Sequence, residues 1–396
     1  MPVATALVLV ALTSCTGLLI LQIGLWRVFA SAPQLETCPS DHQIPQTSLT
    51  VVIPAFNEAA NISACVNCVL LSSQPCADWS VLVIDDESSD ATLNLARRAA
   101  AADSSRCRVI QAGPRPRGER WVGKNWACSR AMDRIQSDWV LFIDADVRLQ
   151  PDALRRALKQ AMDEQADLFS LAPRLECGCL SEWMVQPIMA SLLGLGFPLE
   201  ATNDPATDVA FAAGPFMLFS TNAYTAIGGH RELADAVVED LALARRIKSG
   251  GYRLRYRLGL DAVSLRMYQD LPALWEGWTK NWFLGLDRSV LRSLGASAVV
   301  VQMFALPWLL LPAALMLLLL LPERGAFWLV LLGLSVLALV QQVLLRLWTQ
   351  RRFELPMRHW WLMGAGGLLI GLIGPVSVWR TLTGRGWTWK GRSLAA

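Results

Sequence analysis

The sequence predicts an α/β domain built on a mostly parallel, Rossmann-like sheet and flanked by transmembrane α-helices. Three observations predict this. Strand-like and helical runs alternate between residues 45 and 290, acidic clusters follow the predicted strands, and long apolar runs lie on either side of that stretch. Of the 396 residues only 17% are charged and 53% are hydrophobic, whereas soluble domains carry about 25% charged residues. The deficit is concentrated at the two ends. A net charge of +3 provides no basic footprint for nucleic acid.

Ala4 to Trp26 is almost continuously apolar and long enough to cross a bilayer, so residues 1–30 are expected to form an uncleaved anchor. A cleaved signal ending near Ala30-Ser31-Ala32 would lack its basic n-region. The lipoprotein-like Leu12-Thr13-Ser14-Cys15 box sits inside an apolar run that continues past the cysteine. Ala296–Leu321 and Ala326–Leu347 read as a helical hairpin around Pro322-Glu323-Arg324-Gly325, and Trp360–Trp379 is a third candidate. Residues 295–380 are therefore expected to be membrane helices, with 381–396 a basic tail. Arg346, Arg351, Arg352 and Arg358 mark a cytoplasmic loop of a multi-pass protein in a bacterial cell membrane, and Arg27 and the basic middle domain fit the same side. One conflict follows. If Trp360–Trp379 spans, Arg380, Arg385, Lys390 and Arg392 lie on the wrong side. Either that glycine-rich segment is re-entrant, or another segment such as Trp183–Phe197 lies in the interface.

In the middle domain, Ser48–Pro54 is an apolar, β-branched run and reads as a buried strand. Glu58–Leu71 has helical spacing, Trp79–Ile84 reads as a strand, and a helix follows from Asp90 to Ala101. Arg108–Gln111 is a short strand, Lys124–Gln136 a helix and Trp139–Ile143 a fourth strand. Pro151 suits the first turn of a helix to Met162. Cys65 and Cys68 have zinc-like spacing, but none of the three histidines stands near them. Reduced thiols of a cytoplasmic domain are the simpler reading.

Ligands bind where the strands of such sheets end. Pro54-Ala55-Phe56-Asn57-Glu58 follows the first strand, Asp85-Asp86-Glu87-Ser88-Ser89-Asp90 the second, and Asp144-Ala145-Asp146 the fourth. Two carboxylates one residue apart, leaving a buried strand, can present oxygens to a hard divalent ion that bridges a diphosphate, Mg²⁺ or Mn²⁺. Downstream come Gly228-Gly229-His230 and Glu239-Asp240-Leu241, the latter opening a helix to Ser249. The free N–H groups at that helix start favour an ionised carboxylate, as a general base requires.

The order of these elements resembles the GT-A, nucleotide-diphospho-sugar domain of family 2 glycosyltransferases over roughly residues 48–285. The resemblance implies that Pro54, Phe56 and Glu58 line the nucleotide pocket and that Asp86 accepts a hydrogen bond from the base. It implies that Asp144 contacts the sugar or ribose or shares the metal with Asp146. Gly123-Lys124-Asn125-Trp126-Ala127 matches the family's Gly-Lys-x-x-Ala element, which places a cation near the nucleotide. Glu87 departs from the pattern, standing where the family frequently has glycine.

The chain also lacks the Gln-x-x-Arg-Trp of processive members. Its Arg266-Met267-Tyr268, Gly277-Trp278-Thr279-Lys280-Asn281 and Trp389-Lys390-Gly391-Arg392 resemble the bacterial carotenoid-type enzymes. The resemblance makes Asp240, with Glu239 beside it, the catalytic carboxylate, and Lys280 a contact for the diphosphate. His230 either touches the acceptor or leaving diphosphate, or packs. Trp278 and Trp282, four apart on one helical face, are either an acceptor platform or membrane-interface aromatics.

The implied reaction is metal-dependent, inverting transfer from a UDP- or GDP-sugar to a hydroxyl of a lipophilic membrane acceptor, with a carotenoid first. Hopanoid, glycerolipid and polyprenyl-phosphate acceptors are the alternatives. A nucleotidyltransferase shares the sheet and acidic strand ends, but would show a glycine-rich signature where this chain has Pro-Ala-Phe-Asn-Glu.

Overall fold

The computed structural model describes residues 2–38 and 43–394. Twelve strands are β1 Ser48–Ala55, β2 Asp78–Asp85, β3 Cys107–Gln111, β4 Trp139–Ile143, β5 Val147–Leu149, β6 Leu168–Ala172, β7 Arg174–Leu175, β8 Phe216–Ser220, β9 Leu254–Leu258, β10 Val263–Leu265, β11 Trp387–Trp389 and β12 Arg392–Leu394. The helices of the middle domain are α2 Ile62–Leu70, α3 Thr92–Ala100, α4 Gly123–Met132, α5 Ala153–Asp163, α6 Leu180–Gly196, α7 Leu199–Asn203, α8 Thr221–Ala226, α9 Glu239–Ser249 and α10 Leu271–Gly285. Before them runs α1, Pro2–Ala30, and after them α11 Val290–Val300, α12 Leu306–Leu320, α13 Gly325–Phe353 and α14 Met363–Leu382.

The central sheet has seven strands in the order β3-β2-β1-β4-β8-β6-β9. Strands β3, β2, β1 and β4 are parallel, β8 is antiparallel to both β4 and β6, and β6 pairs parallel with β9. Both faces are covered. Val51, Ile53, Val81 and Val83 pack on α2, α3 and α5, while Val52, Leu82, Ile84 and Phe142 pack on α4 and α9. Burial on both faces explains why these strands read as unbroken apolar runs rather than as an alternation. The reversed strand β8 has no such local signature, because its direction is set by its neighbours.

Among the described residues, four helical segments are long and apolar enough to cross a membrane: Pro2–Ala30, Val290–Leu320, Pro322–Phe353 and Trp360–Leu382. They do not pack alike. Helices α1, α12 and α13 lie against one another, joined by contacts such as Cys15 Sγ to Leu334 O and Gln22 Nε2 to Gln341 O. Helix α14 instead packs on α6, α10, α11 and the π-turn Val301–Ala305. Its glycines make this possible. An added Cβ would lie 2.0 Å from Met184 O at Gly366, 2.2 Å from Val301 at Gly371 and 1.8 Å from Ser297 Oγ at Gly374. Small residues of this kind let helix backbones approach closely.

The segment after α1 is stapled to the domain. Arg156, 4% exposed, donates to Leu35 O and Glu36 O and pairs with Asp261 at 2.8 Å. Cys65 and Cys68 lie one turn apart on α2 with free thiols, and among the described residues no group of three or more His, Cys, Asp or Glu forms a ready-made metal cage.

Candidate active site

The ends of β1, β2 and β4 open into one cleft of about 270 Å³, whose far wall is α9, α10 and the β11–β12 hairpin. Pro54, Phe56, Glu58, Asp86, Lys124, Asp144, Asp146, Glu239, Asp240 and Lys280 all line it. The structure thus brings together ten side chains drawn from six stretches of sequence.

At the heart of the cleft is a chain of opposite charges. Lys124 Nζ lies 2.7 Å from Asp144 Oδ1 and 2.7 Å from Glu239 Oε1. Burial alone would lower the Lys124 pKa, but Asp144 and Glu239 outweigh it and hold the ammonium well above its ordinary value. Burial likewise pushes Glu239 up, and Lys124 brings it below the usual range. Three residues of the Lys124 motif hold different partners, Lys124 itself the two carboxylates. Asn125 Nδ2 donates to Leu233 O and Ala236 O, and Trp126 Nε1 donates to Gly113 O at 2.8 Å.

Asp146 has no such partner. Its Oδ1 is sealed from solvent without a hydrogen-bond donor. Burial, then the charges of Asp144 and Glu58, push its carboxyl up to about 8. A buried, unpaired carboxylate beside two others is expensive unless a cation arrives. Asp144 and Asp146 therefore fit a hard divalent ion as two of its oxygen ligands, leaving the rest of the coordination to a diphosphate or water.

Asp240 sits at the second position of α9. Its Oδ2 accepts from Gly214 N–H at 3.2 Å and its Oδ1 from Leu241 N–H at 2.7 Å. The helix start was expected to hold this carboxylate ionised. Burial wins instead, reinforced by Glu239, and raises it to about 6. The result is still ionised at neutral pH, with more proton affinity than an exposed aspartate. Lys280 stands 4.7 Å from the ring centroid of Trp389 and, among the described residues, makes no ion pair. Burial lowers its pKa, partly offset by Glu239.

Asp86 lies at the other end, 2% exposed, with its Oδ2 paired to Arg115 at 2.7 Å and to Arg392. Burial raises it to about 6 despite the two arginines. The turn that carries it explains the glycine expected at position 87, because Glu87 has a φ of +59°. A glycine is at ease in that left-handed region and glutamate is strained there.

Three expected acceptor residues lie elsewhere. His230 is 2% exposed and Tyr224 O–H lies 2.6 Å from its Nδ1; burial depresses its pKa to about 3. It packs on Phe142 beneath the cleft, a neutral core imidazole. Trp278 and Trp282 are 6% and 7% exposed. Trp278 Nε1 donates to Gln186 Oε1 at 3.0 Å and Trp282 Nε1 to Ser293 O at 3.2 Å. Their helical face is turned into packing with α6, α11 and α14, so neither forms a platform nor meets a membrane surface. The face that reaches the cleft carries Gly277, Lys280 and Asn281.

Sequence reasoning missed Arg115, and it named the motifs of Tyr268 and of the hairpin without placing them in the cleft. Tyr268, 3% exposed, lines the cleft because Gly277 leaves room for its ring, and Arg266 beside it anchors α6 through Glu182 at 3.0 Å. The Arg-Met-Tyr and Gly-Trp motifs thus interlock. The basic tail is no loose end. Lys390 pairs with Glu58 at 2.6 Å, and the Arg392 guanidinium lies 3.9 Å over the Phe56 ring.

This arrangement agrees with the comparisons. Residues 50–228 match the family model for glycosyl transferase family 2, so the chain carries a domain of that family, with the GT-A fold. The chain is similar to the 4,4'-diaponeurosporenoate glycosyltransferase of Staphylococcus aureus (strain USA300), 28% identical over 241 residues. That match covers 60% of this chain and 61% of the relative. Among solved structures it is similar to the mannosyltransferase PcManGT from Pyrobaculum calidifontis in complex with GDP-Man and Mn²⁺, at 18% identity and a TM-score of 0.52. That likeness spans 93% of this chain and 99% of the other, and at such identity it bears on the fold alone.

Proposed function

We propose that the protein is a metal-dependent, inverting glycosyltransferase that moves a sugar from a UDP- or GDP-sugar to a lipophilic membrane acceptor, a carotenoid in the first instance. The observation that carries this reading is the orphaned Asp146 carboxylate in the same cleft as Asp240 and the unpaired Lys280. A divalent ion held by Asp146 and Asp144 would neutralise the donor's diphosphate. Lys124 is already committed to two carboxylates, so Lys280 is the cation free to meet the leaving diphosphate. Phe56 offers a ring face to the base, and Asp86 an acceptor for its ring N–H. Asp240 takes the proton of an acceptor hydroxyl as that oxygen attacks the anomeric carbon from the side opposite the diphosphate, which inverts the configuration.

The choice of a carotenoid rests on the Staphylococcus relative, which is named for 4,4'-diaponeurosporenoate, a carboxylate. A carboxylate acceptor carries no proton to remove, so this name favours a second reading in which Asp240 positions the acceptor rather than acting as a base. Incubating membranes with labelled UDP- and GDP-sugars, with hydroxylated and carboxylated carotenoids supplied separately, tests both. Absence of any glycolipid product with Mn²⁺ or Mg²⁺ present would sink the proposal.

The same reading extends to the membrane. Helices α1, α12 and α13 cross, and α14 lies on the near side against the domain. The support is that β11–β12, directly after α14, reaches the cleft, so the tail and the domain share one face. An even number of crossings must then separate residue 290 from residue 387. This removes the conflict with the arginines of the tail, and the positive-inside rule puts that face in the cytoplasm. Labelling single cysteines at positions 322–325 and 384–386 in intact cells tests it: reagent that does not enter cells should reach only the first.

A further inference from the structure

The basic hairpin β11–β12 occupies the part of the cleft that the donor's base would need. Arg392 reaches Asp86 across 306 residues of sequence, donates to both its Oδ2 and its backbone oxygen, and stacks at 3.9 Å on Phe56. A guanidinium is planar, carries N–H donors at its edge and presents a π-face. Those are the features by which a nucleobase would stack on Phe56 and donate to Asp86. The backbone of α4 closes the other side: a Cβ on Gly123 would lie 2.5 Å from Asp86 Oδ2 and 3.4 Å from Arg392 Nη1. Arg392 and a base therefore cannot share this slot.

The rest of the hairpin is held in the same way. Lys390 pairs with Glu58 and donates to Phe56 O at 3.3 Å and Asn57 O at 3.0 Å. Its backbone N–H and the Thr388 hydroxyl both donate to Glu276 of α10. Trp389 covers Lys280. With the hairpin seated the cleft is about 270 Å³, below the roughly 300–1,000 Å³ of ligand sites. Most of the contacts that hold it are ion pairs and hydrogen bonds at partly exposed groups; the buried exceptions are Asp86 and Trp387, which packs on Val122. Between α14 and β11 stand Gly384 and Gly386 with φ of +64° and +68°, two positions where the backbone is least restricted.

We propose that the 387–394 hairpin is a gate on the donor site, in which Arg392 stands in for the base, and that a nucleoside diphosphate enters by displacing it. The inference rests on the reading of this cleft as a nucleotide-sugar site. A closed gate lowers apparent affinity by the fraction of molecules that are open. Opening it by substitution therefore tightens nucleotide binding, whereas removing a genuine ligand contact weakens it.

The test uses the full chain in detergent with Mn²⁺, titrated calorimetrically with UDP and with GDP. Arg392→Ala is expected to bind one of them about tenfold more tightly than the parent. Saturating nucleotide is also expected to speed trypsin cleavage after Lys390 in the unaltered protein. Binding to the parent that weakens or stays level in Arg392→Ala, with no change in cleavage, overturns the gate and leaves the donor reading standing. Failure of both UDP and GDP to bind either protein overturns the donor reading and the gate with it.

Discussion

Asp86 is buried and Asp146 has one oxygen sealed from solvent, both at the ends of parallel strands, yet the protein treats them in opposite ways. Asp86 is met by two arginines, one from the loop after β3 and one from the hairpin. Asp146 is met by carboxylates on both sides and by no donor to its Oδ1. The difference teaches which end waits for its ligand and which end must release something first. On the proposed reading, a cation would complete the site at Asp146. At Asp86 a ligand must trade against an existing ion pair.

The largest effect is expected at the chemistry end. Asp240→Asn keeps shape but cannot accept a proton, so turnover on a hydroxyl acceptor should fall about 10³-fold. The same variant on a carboxylate acceptor should lose little, and that split decides between the two readings. Asp146→Ala should lower turnover by about 10²–10³-fold. Chelation of the parent should do the same, with recovery on adding Mn²⁺ or Mg²⁺. If Asp146→Ala still responds to metal as the parent does, the contrast with Asp86 is broken.

Acid should separate the two ends. Asp240 and Asp86 are both raised to about 6. A base is lost as pH falls through its pKa, so kcat should drop with unit slope below that value if Asp240 acts as one. Protonation of Asp86 removes the acceptor for the base and its charge against Arg392, so it should appear in the donor's KM instead. A pH profile in which only KM moves argues against Asp240 as base. Lys280→Ala should cost about tenfold in kcat/KM, because one charged contact to the diphosphate is lost. Smallest in activity is Trp278→Phe. It leaves Gln186 Oε1 without its donor and should lower stability by about 1 kcal/mol, read as a lower Tm. Turnover should stay within about twofold, since Trp278 does not itself line the cleft and phenylalanine keeps an aromatic ring beside Tyr268. A large kcat loss there would restore the tryptophan to the site.

Much of the cleft was legible because its parts are local. A strand, its end and the acidic turn behind it lie within a dozen residues, and Pro54, Asp86, Asp144 and Asp146 each follow a buried run. Asp240 was legible from its place at a helix start, though its proton affinity was not, because burial outweighs the helix N–H groups. The two tryptophans were correctly seen to share a helical face. Which neighbour that face meets is set by the adjacent α11 together with α6 and α14, which lie far off in sequence. The Trp389-Lys390-Gly391-Arg392 motif was noticed, but nothing near it in the chain tells that Asp86 is its partner.

By itself the sequence determined the class of sheet, the acidic strand ends and the apolar helices, because hydrophobic period and strand-end chemistry are properties of neighbouring residues. Only the tertiary structure decided what those charges face. It left Asp146 alone, gave Lys124 two carboxylates, packed α14 against the domain through its glycines, and laid Arg392 on Phe56. Ion pairs and close helix contacts depend on positions in space that residues far apart in the chain share, and no local pattern encodes them.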